Sequence, residues 1–153
     1  MVKLNKLGND LNRLISTMSL FTRKTMNRWI DEIAKDLNIT PERLMVMYEL
    51  RIQPNINLKE LADSLMVSPA SMSVMVQSLV EMNLIARVTN ENDRRRVVLN
   101  LTPEGEDLFQ QVDSKINKQF DEFAQQLSTS YQEDLHTSVI NMQHILDEII
   151  KNI

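Results

Sequence analysis

The 153-residue sequence predicts a mainly α-helical chain with one small two-stranded β element, and three observations lead there. Apolar residues recur at alternating three- and four-residue steps over most of the chain. The period shortens to two only between Leu84 and Leu101, around a polar turn at Asn90-Glu91-Asn92-Asp93. Finally, the pairs Thr40-Pro41, Ser68-Pro69 and Thr102-Pro103 each join a helix-capping hydroxyl to a proline suited to a first helical turn.

Leu4, Leu7, Leu11, Leu14, Met18 and Phe21, continued by Met26, Trp29, Ile30 and Ile33, form the stripe of one long amphipathic helix ending near Asn38. Thr40-Pro41 starts a second helix, with Leu44, Met45, Met47 and Tyr48 expected inward, closed by Pro54 and Asn55. Asn57 and Glu60 have the spacing of a reciprocal capping box and announce a short third helix that buries Leu58, Leu61, Ala62 and Leu65. Ser68-Pro69 opens a fourth, in which Met72, Met75, Val76, Leu79 and Val80 recur at helical spacing. Leu84 to Thr89 and Arg96 to Leu101 then read as strands, with Val97, Leu99 and Leu101 on one face. Because a lone hairpin is marginal in water, that apolar face is expected to lean on the preceding helices. Thr102-Pro103-Glu104 caps a fifth helix, and Ser130 with Glu133 is expected to open a sixth bearing Leu135, Val139, Met142, Leu146, Ile149 and Ile153.

Two short helices joined by a tight connection, the second polar outside at Ser71, Ser73, Gln77 and Ser78, make a helix-turn-helix, and the hairpin is its wing. The predicted architecture is therefore a winged helix-turn-helix lobe over residues 39–101. Flanking it are an N-terminal helix over 1–38 and C-terminal helices over 102–153, which together form a dimerisation region. Both ends present stripes that one small domain cannot cover, and a second copy of the chain is the expected cover. A symmetric dimer also spaces two recognition helices one DNA turn apart, about 34 Å, as a pseudo-palindromic operator requires.

Composition narrows the chemistry. With no cysteine, disulfides, thiolate zinc sites and thiol-based peroxide sensing are excluded. With only Gly8 and Gly105, glycine-rich phosphate loops and nucleophile elbows have no material. No apolar run is long enough to cross a bilayer, and the first residues mix Lys3, Lys6, Asp10 and Arg13 with leucines, unlike a secretory signal; a cytoplasmic protein is expected. The net charge of -4 is unevenly divided: Lys and Arg against acids number nine to six over 1–56, five to five over 57–101 and three to ten over 102–153. A basic cluster in the middle segment can thus face phosphates while the acidity lies C-terminal.

The run Asp93-Arg94-Arg95-Arg96-Val97-Val98-Leu99-Asn100-Leu101-Thr102-Pro103-Glu104-Gly105 resembles the Asp-x-Arg, strand, Leu-Thr-x-x-Gly pattern of the MarR (multiple antibiotic resistance regulator) transcription factors. Leu58-Lys59-Glu60-Leu61-Ala62, Val67-Ser68 and Leu79-Val80-Glu81-Met82-Asn83-Leu84-Ile85 are similar to that family's helix-turn-helix, and the order of elements matches along essentially the whole chain. The resemblance implies a cytoplasmic, homodimeric DNA-binding regulator, a repressor relieved by a small aromatic effector. It implies that Arg95 at the wing tip enters the minor groove, oriented by Asp93, while Arg87, Arg94 and Arg96 serve phosphates. Guanidinium groups suit narrow, electronegative minor grooves.

The sequence departs from the family pattern at Val74, where members often carry arginine, and at Asn83, where glycine is usual. From Glu60 through Ala86 there is no Lys or Arg, so bidentate arginine readout of guanine is unavailable to the recognition helix. Base contact is left to Ser68, Ala70, Ser71, Ser73, Val74 and Gln77, through hydrogen bonds and thymine-methyl contact. By the same resemblance Trp29, Met45 and Tyr48 are candidates to line an effector cleft. His136 and His144 stand eight apart on the last helix and read as surface residues; no metal, cofactor or catalytic residues are expected, and the acids are scattered over helix surfaces. The competing reading is a helical adaptor whose winged lobe has lost DNA binding, which the uncharged recognition helix keeps open and the basic wing tip opposes.

Overall fold

The computed structural model describes residues 4–89 and 97–152. Two compact units divide the chain, Met1–Ser114 and Lys115–Ile153.

In the first unit, α1 (Leu4–Phe21) passes through a π-helical turn (Thr22–Met26) into α2 (Asn27–Asp36). Phe21, Met26 and Asn27 keep right-handed helical backbone angles, and the Asn27 N–H reaches back to the Thr22 carbonyl. The expected single helix therefore exists, but with one wider turn inside it. The α2 segment buries Trp29, Ile33 and Ala34, and Phe21 meets the Trp29 ring edge-on at 6.4 Å. Asn38 at φ 53° then closes the helix, with the Ile39 N–H donating to the Ala34 carbonyl at 2.9 Å.

The next helix, α3 (Pro41–Ile52), is capped by Thr40 and buries Leu44, Val46, Met47, Glu49 and Leu50. Here the sequence expectation needs correction: Met45 and Tyr48, expected inward, are 61% and 54% exposed. Since α2, the α4 (Leu58–Ser64) and α5 (Pro69–Glu81) helices and the second strand all pack on α3, only a narrow stripe holding Met45, Tyr48 and Ile52 is left outside. Local periodicity cannot identify that stripe when neighbours surround a helix on several sides. The buried Glu49 carboxylate is satisfied by the Gln53 side chain at 2.7 Å and by the Ser64 hydroxyl.

The capping box before α4 is present: Asn57 Oδ1 accepts from Lys59 and Glu60 N–H at 2.9 and 3.0 Å, while Glu60 Oε2 accepts from the Asn57 N–H at 2.9 Å. Met66, at φ 53°, makes the turn into α5, which buries Met72, Val76 and Leu79. Asn83 at φ 57° ends α5, a conformation asparagine tolerates in place of glycine.

Strands β1 (Ile85–Thr89) and β2 (Val97–Leu101) pair antiparallel, Ile85 opposite Leu101 and Arg87 opposite Leu99. Ile56 adds a bridge outside this pair, its carbonyl accepting from the Leu99 N–H at 2.9 Å. Asn55 and Asn100 fasten the same edge reciprocally, the Asn55 N–H to Asn100 Oδ1 at 2.9 Å and Asn100 Nδ2 to Asn55 Oδ1 at 3.0 Å. The expected apolar face is realised only in part. Leu99 is buried and Leu101 half-buried, but Val97 lies exposed at the far end, and its neighbour Val98 is buried instead.

Thr102 links this sheet to α6 (Pro103–Ala124), a helix that starts in the first unit and ends in the second. A Cβ on Gly105, in the first turn of α6, would be driven into the Leu84 carbonyl, so that approach requires glycine.

In the second unit, α7 (Thr129–Ile150) has its cap two residues before the one expected from the Ser130 and Glu133 capping box. Ser128 is the cap, its hydroxyl accepting from the Tyr131 N–H at 3.4 Å. Gln132 Nε2 donates to the Ala124 and Leu127 carbonyls at 3.0 Å each and closes the turn between the helices. Leu135, Val139, Leu146 and Ile149 on α7 are exposed, as are Leu7, Leu11, Leu14 and Met18 on α1. Among the described residues no helix is long and apolar enough to cross a membrane.

Candidate nucleic-acid interface

Burial of Met72, Val76 and Leu79 turns the opposite face of α5 outward. On it Ala70, Ser71, Val74 and Gln77 are exposed and Ser73 is half-buried. Val74 is 70% exposed, an apolar side chain left largely to solvent. Ser68 behaves differently, because its hydroxyl is engaged in the cap: it accepts from the Ser71 N–H at 3.2 Å and donates to the Ser71 hydroxyl at 2.9 Å. These two serines thus present a joined pair of hydroxyls at the start of α5.

A surface cleft of about 450 Å³ runs along this helix, lined by Ser73, Val74, Gln77, Ser78, Glu81 and Arg87. Four of the sequence candidates, Ser73, Val74, Gln77 and Arg87, therefore meet around one space. Arg87 comes from β1, where it is exposed, so strand and helix each supply one wall. Sequence reasoning missed Glu81 and passed over Ser78 as a contact. The signal for Glu81 was available in the four-residue spacing from Gln77, which sets two side chains over each other on a helix; Gln77 Nε2 donates to Glu81 Oε1 at 3.0 Å. Asp93, Arg94, Arg95 and Arg96 lie outside the described residues.

The three candidate effector contacts are distributed unequally. Trp29 is buried, whereas Met45 and Tyr48 are open on the outer stripe of α3, and none of them lines the α5 cleft. Tyr48 approaches the Phe109 ring at 6.4 Å, and Arg51 lies 5.2 Å from the centre of that ring. Arg51 also donates to Asp113 Oδ2 at 2.7 Å, and this hydrogen bond holds the guanidinium pKa above its ordinary value.

The MarR family model matches residues 39–97, the span from Ile39 before α3 to the first residue of β2. The chain is similar to the HTH-type transcriptional repressor MdtR of Bacillus subtilis (strain 168), at 32% identity over 108 residues that cover 71% of this chain and 67% of that protein. In fold it is similar to an S. aureus MepR mutant bound to oligodeoxyribonucleotide, with 24% identity, a TM-score of 0.64 and coverage of 90% of this chain and 96% of that one. The multiple antibiotic-resistance repressor of Listeria monocytogenes 4b F2365 is likewise similar in fold, with 20% identity, a TM-score of 0.70 and coverage of 92% and 97%.

Proposed function

The chain belongs to the MarR family and is a transcriptional regulator rather than an enzyme, and from that premise we propose that it binds double-stranded DNA as a homodimer and represses transcription from a pseudo-palindromic operator. The observation that carries this reading is the outward face of α5, unpacked by its own lobe and flanked by Arg87 across the cleft. An α-helix with such a face fits the major groove. Ser68, Ala70, Ser71, Ser73, Val74 and Gln77 supply the base contacts. Arg87, Arg94 and Arg96 neutralise phosphates, and Arg95, oriented by Asp93, enters the minor groove.

In this reading residues 39–101 are the DNA-binding lobe, while 1–38 and 102–153 hold the dimer together. Its support is the pair of uncovered apolar stripes, one on α1 and one on α7. A stable monomer in sedimentation at micromolar concentration would sink the dimer, and with it the paired recognition helices. The regulator works in the cytoplasm, where a small aromatic effector shifts the dimer to a spacing that no longer fits the operator. Its contacts are Met45 and Tyr48, open on α3, together with the buried Trp29.

The test is fluorescence anisotropy with DNA from the gene's own upstream region and a scrambled duplex, over a salt series, for wild type and Arg95→Ala. Operator binding requires roughly 10³-fold preference for the upstream DNA, falling with salt and weakened by the substitution. Equal, weak binding to both duplexes, indifferent to Arg95→Ala, would replace the regulator with a protein adaptor.

A further inference from the structure

The Gln77 amide is not free to present either of its edges. Its Nε2 donates to Glu81 Oε1, one helical turn further along the exposed face of α5, and a carboxylate can only accept. The opposite flip would set two acceptor oxygens against each other, so Glu81 selects one orientation of the amide. A primary amide has two N–H donors and a carbonyl acceptor. With one donor held by Glu81, one N–H and the carbonyl oxygen remain for a ligand.

That donor-acceptor pair complements the N7 acceptor and N6 donor that adenine shows in the major groove, and it mismatches guanine, whose N7 and O6 both accept. Resting on the DNA-binding reading above, we propose that Gln77 reads an adenine at one fixed position in each operator half-site and that Glu81 is its positioning residue. Glu81 has a second effect. Its carboxylate shares the cleft with Arg87, where it repels phosphate and weakens association with arbitrary DNA. The pair therefore raises discrimination while lowering general affinity. An exposed hydrogen bond of this kind is weak in water, and it strengthens when DNA excludes solvent from the cleft.

The experiment measures competition binding to operators carrying each of the four bases at every half-site position, for wild type, Gln77→Ala, Glu81→Ala and Glu81→Gln. Both side chains are exposed, and matching thermal melts verify that every variant is folded. Wild type is expected to favour adenine at one position per half-site by about tenfold, and Gln77→Ala to abolish that preference. Glu81→Ala should reduce it to about twofold while binding scrambled DNA more tightly, and Glu81→Gln, whose amide can donate as well as accept and so no longer selects one orientation of the Gln77 amide, should lose most of it too. An adenine preference untouched by Glu81→Ala, or a Gln77-dependent preference for another base, overturns the inference and leaves operator binding standing. Wild type that fails to distinguish the operator from a scrambled duplex overturns the reading on which it rests.

Discussion

The Thr102 hydroxyl donates to the Asn83 carbonyl at 2.6 Å and accepts the Gly105 N–H at 3.0 Å, so one side chain ties the end of α5 to the start of α6. The Thr102 N–H also donates to the Leu84 carbonyl at 3.1 Å. Thr102→Val keeps the shape and removes both hydroxyl bonds in a buried place. It is expected to cost about 1–3 kcal/mol in urea denaturation, whereas Thr102→Ser should stay within about 0.5 kcal/mol of wild type. Equal stability of all three would mean that the tie contributes nothing.

Gly105→Ala tests the same junction from the other side. The atom in the way is the backbone oxygen of Leu84, which cannot swing aside as a side chain can. A loss of about 3 kcal/mol or more is expected from the denaturation midpoint, and a substitution without effect would show that the two segments can separate freely.

Among the described residues, four other than glycine take left-handed backbone angles: Asn38, Asn55, Met66 and Asn83. Asparagine adopts that region at small cost; methionine does so less readily, and Met66 gains nothing by burial, being 93% exposed. Met66→Gly is expected to raise stability by about 0.5–1 kcal/mol, and Met66→Ile, β-branched, to lower it by about 1 kcal/mol. Calorimetric melting decides the order of the three proteins.

Glu42, in the first turn of α3, has its carboxyl held below the ordinary range, first by a hydrogen bond from its own backbone N–H and next by one from Thr40. Lowering the pKa in the folded state means that the stabilisation is present above the unfolded pKa and is lost as pH falls through the folded value. Glu42→Gln should therefore be slightly less stable than wild type at neutral pH, with the gap closing in acid. A gap independent of pH in parallel denaturation series would rule the carboxylate out as its source.

Arg87→Ala should leave the fold intact, since the side chain is exposed at the edge of the α5 cleft. If Arg87 meets a phosphate, affinity falls about equally for operator and scrambled DNA, and the slope of log K against log salt shrinks by about 1 per site. A loss confined to one operator base would move Arg87 to base reading.

Helix starts were the most legible part of the fold, because a cap and its partner lie within one turn of each other. Asn57 with Glu60, Ser68 with Pro69 and Thr102 with Pro103 all stand where their spacing places them. The cap of α7 was misplaced because Ser128 and Ser130 flank the same start and both satisfy the local rule. Features made by distant partners left no local trace: the Ile56 bridge to Leu99, the Asn55–Asn100 pair, and Ser64 reaching Glu49 from another helix. On the candidate site, hydrophobic periodicity identified the outer face of α5, since the buried stripe of Met72, Val76 and Leu79 fixes which face is left outside. Sequence reading stopped short at Glu81 because an acid beside a proposed DNA surface looks out of place until its hydrogen bond to Gln77 is seen.

The π-helical turn has a consequence for which lengths of chain this helix tolerates. From Leu4 to Phe21 the apolar line advances in steps of three and four, then jumps five residues to Met26. At about 100° per residue, a five-residue step would throw the line about 140° off after one full turn. The wider ring closed by Asn27 and Thr22 absorbs one residue, so the step from Phe21 to Met26 counts as one of about four and leaves an offset of about 40°, that of an ordinary four-residue step in the line. The turn is thus a built-in shim in a long screw. Deleting one residue between Thr22 and Met26 should simply restore an ordinary helix in register, whereas the same deletion inside α1 would rotate everything before it by about 100°.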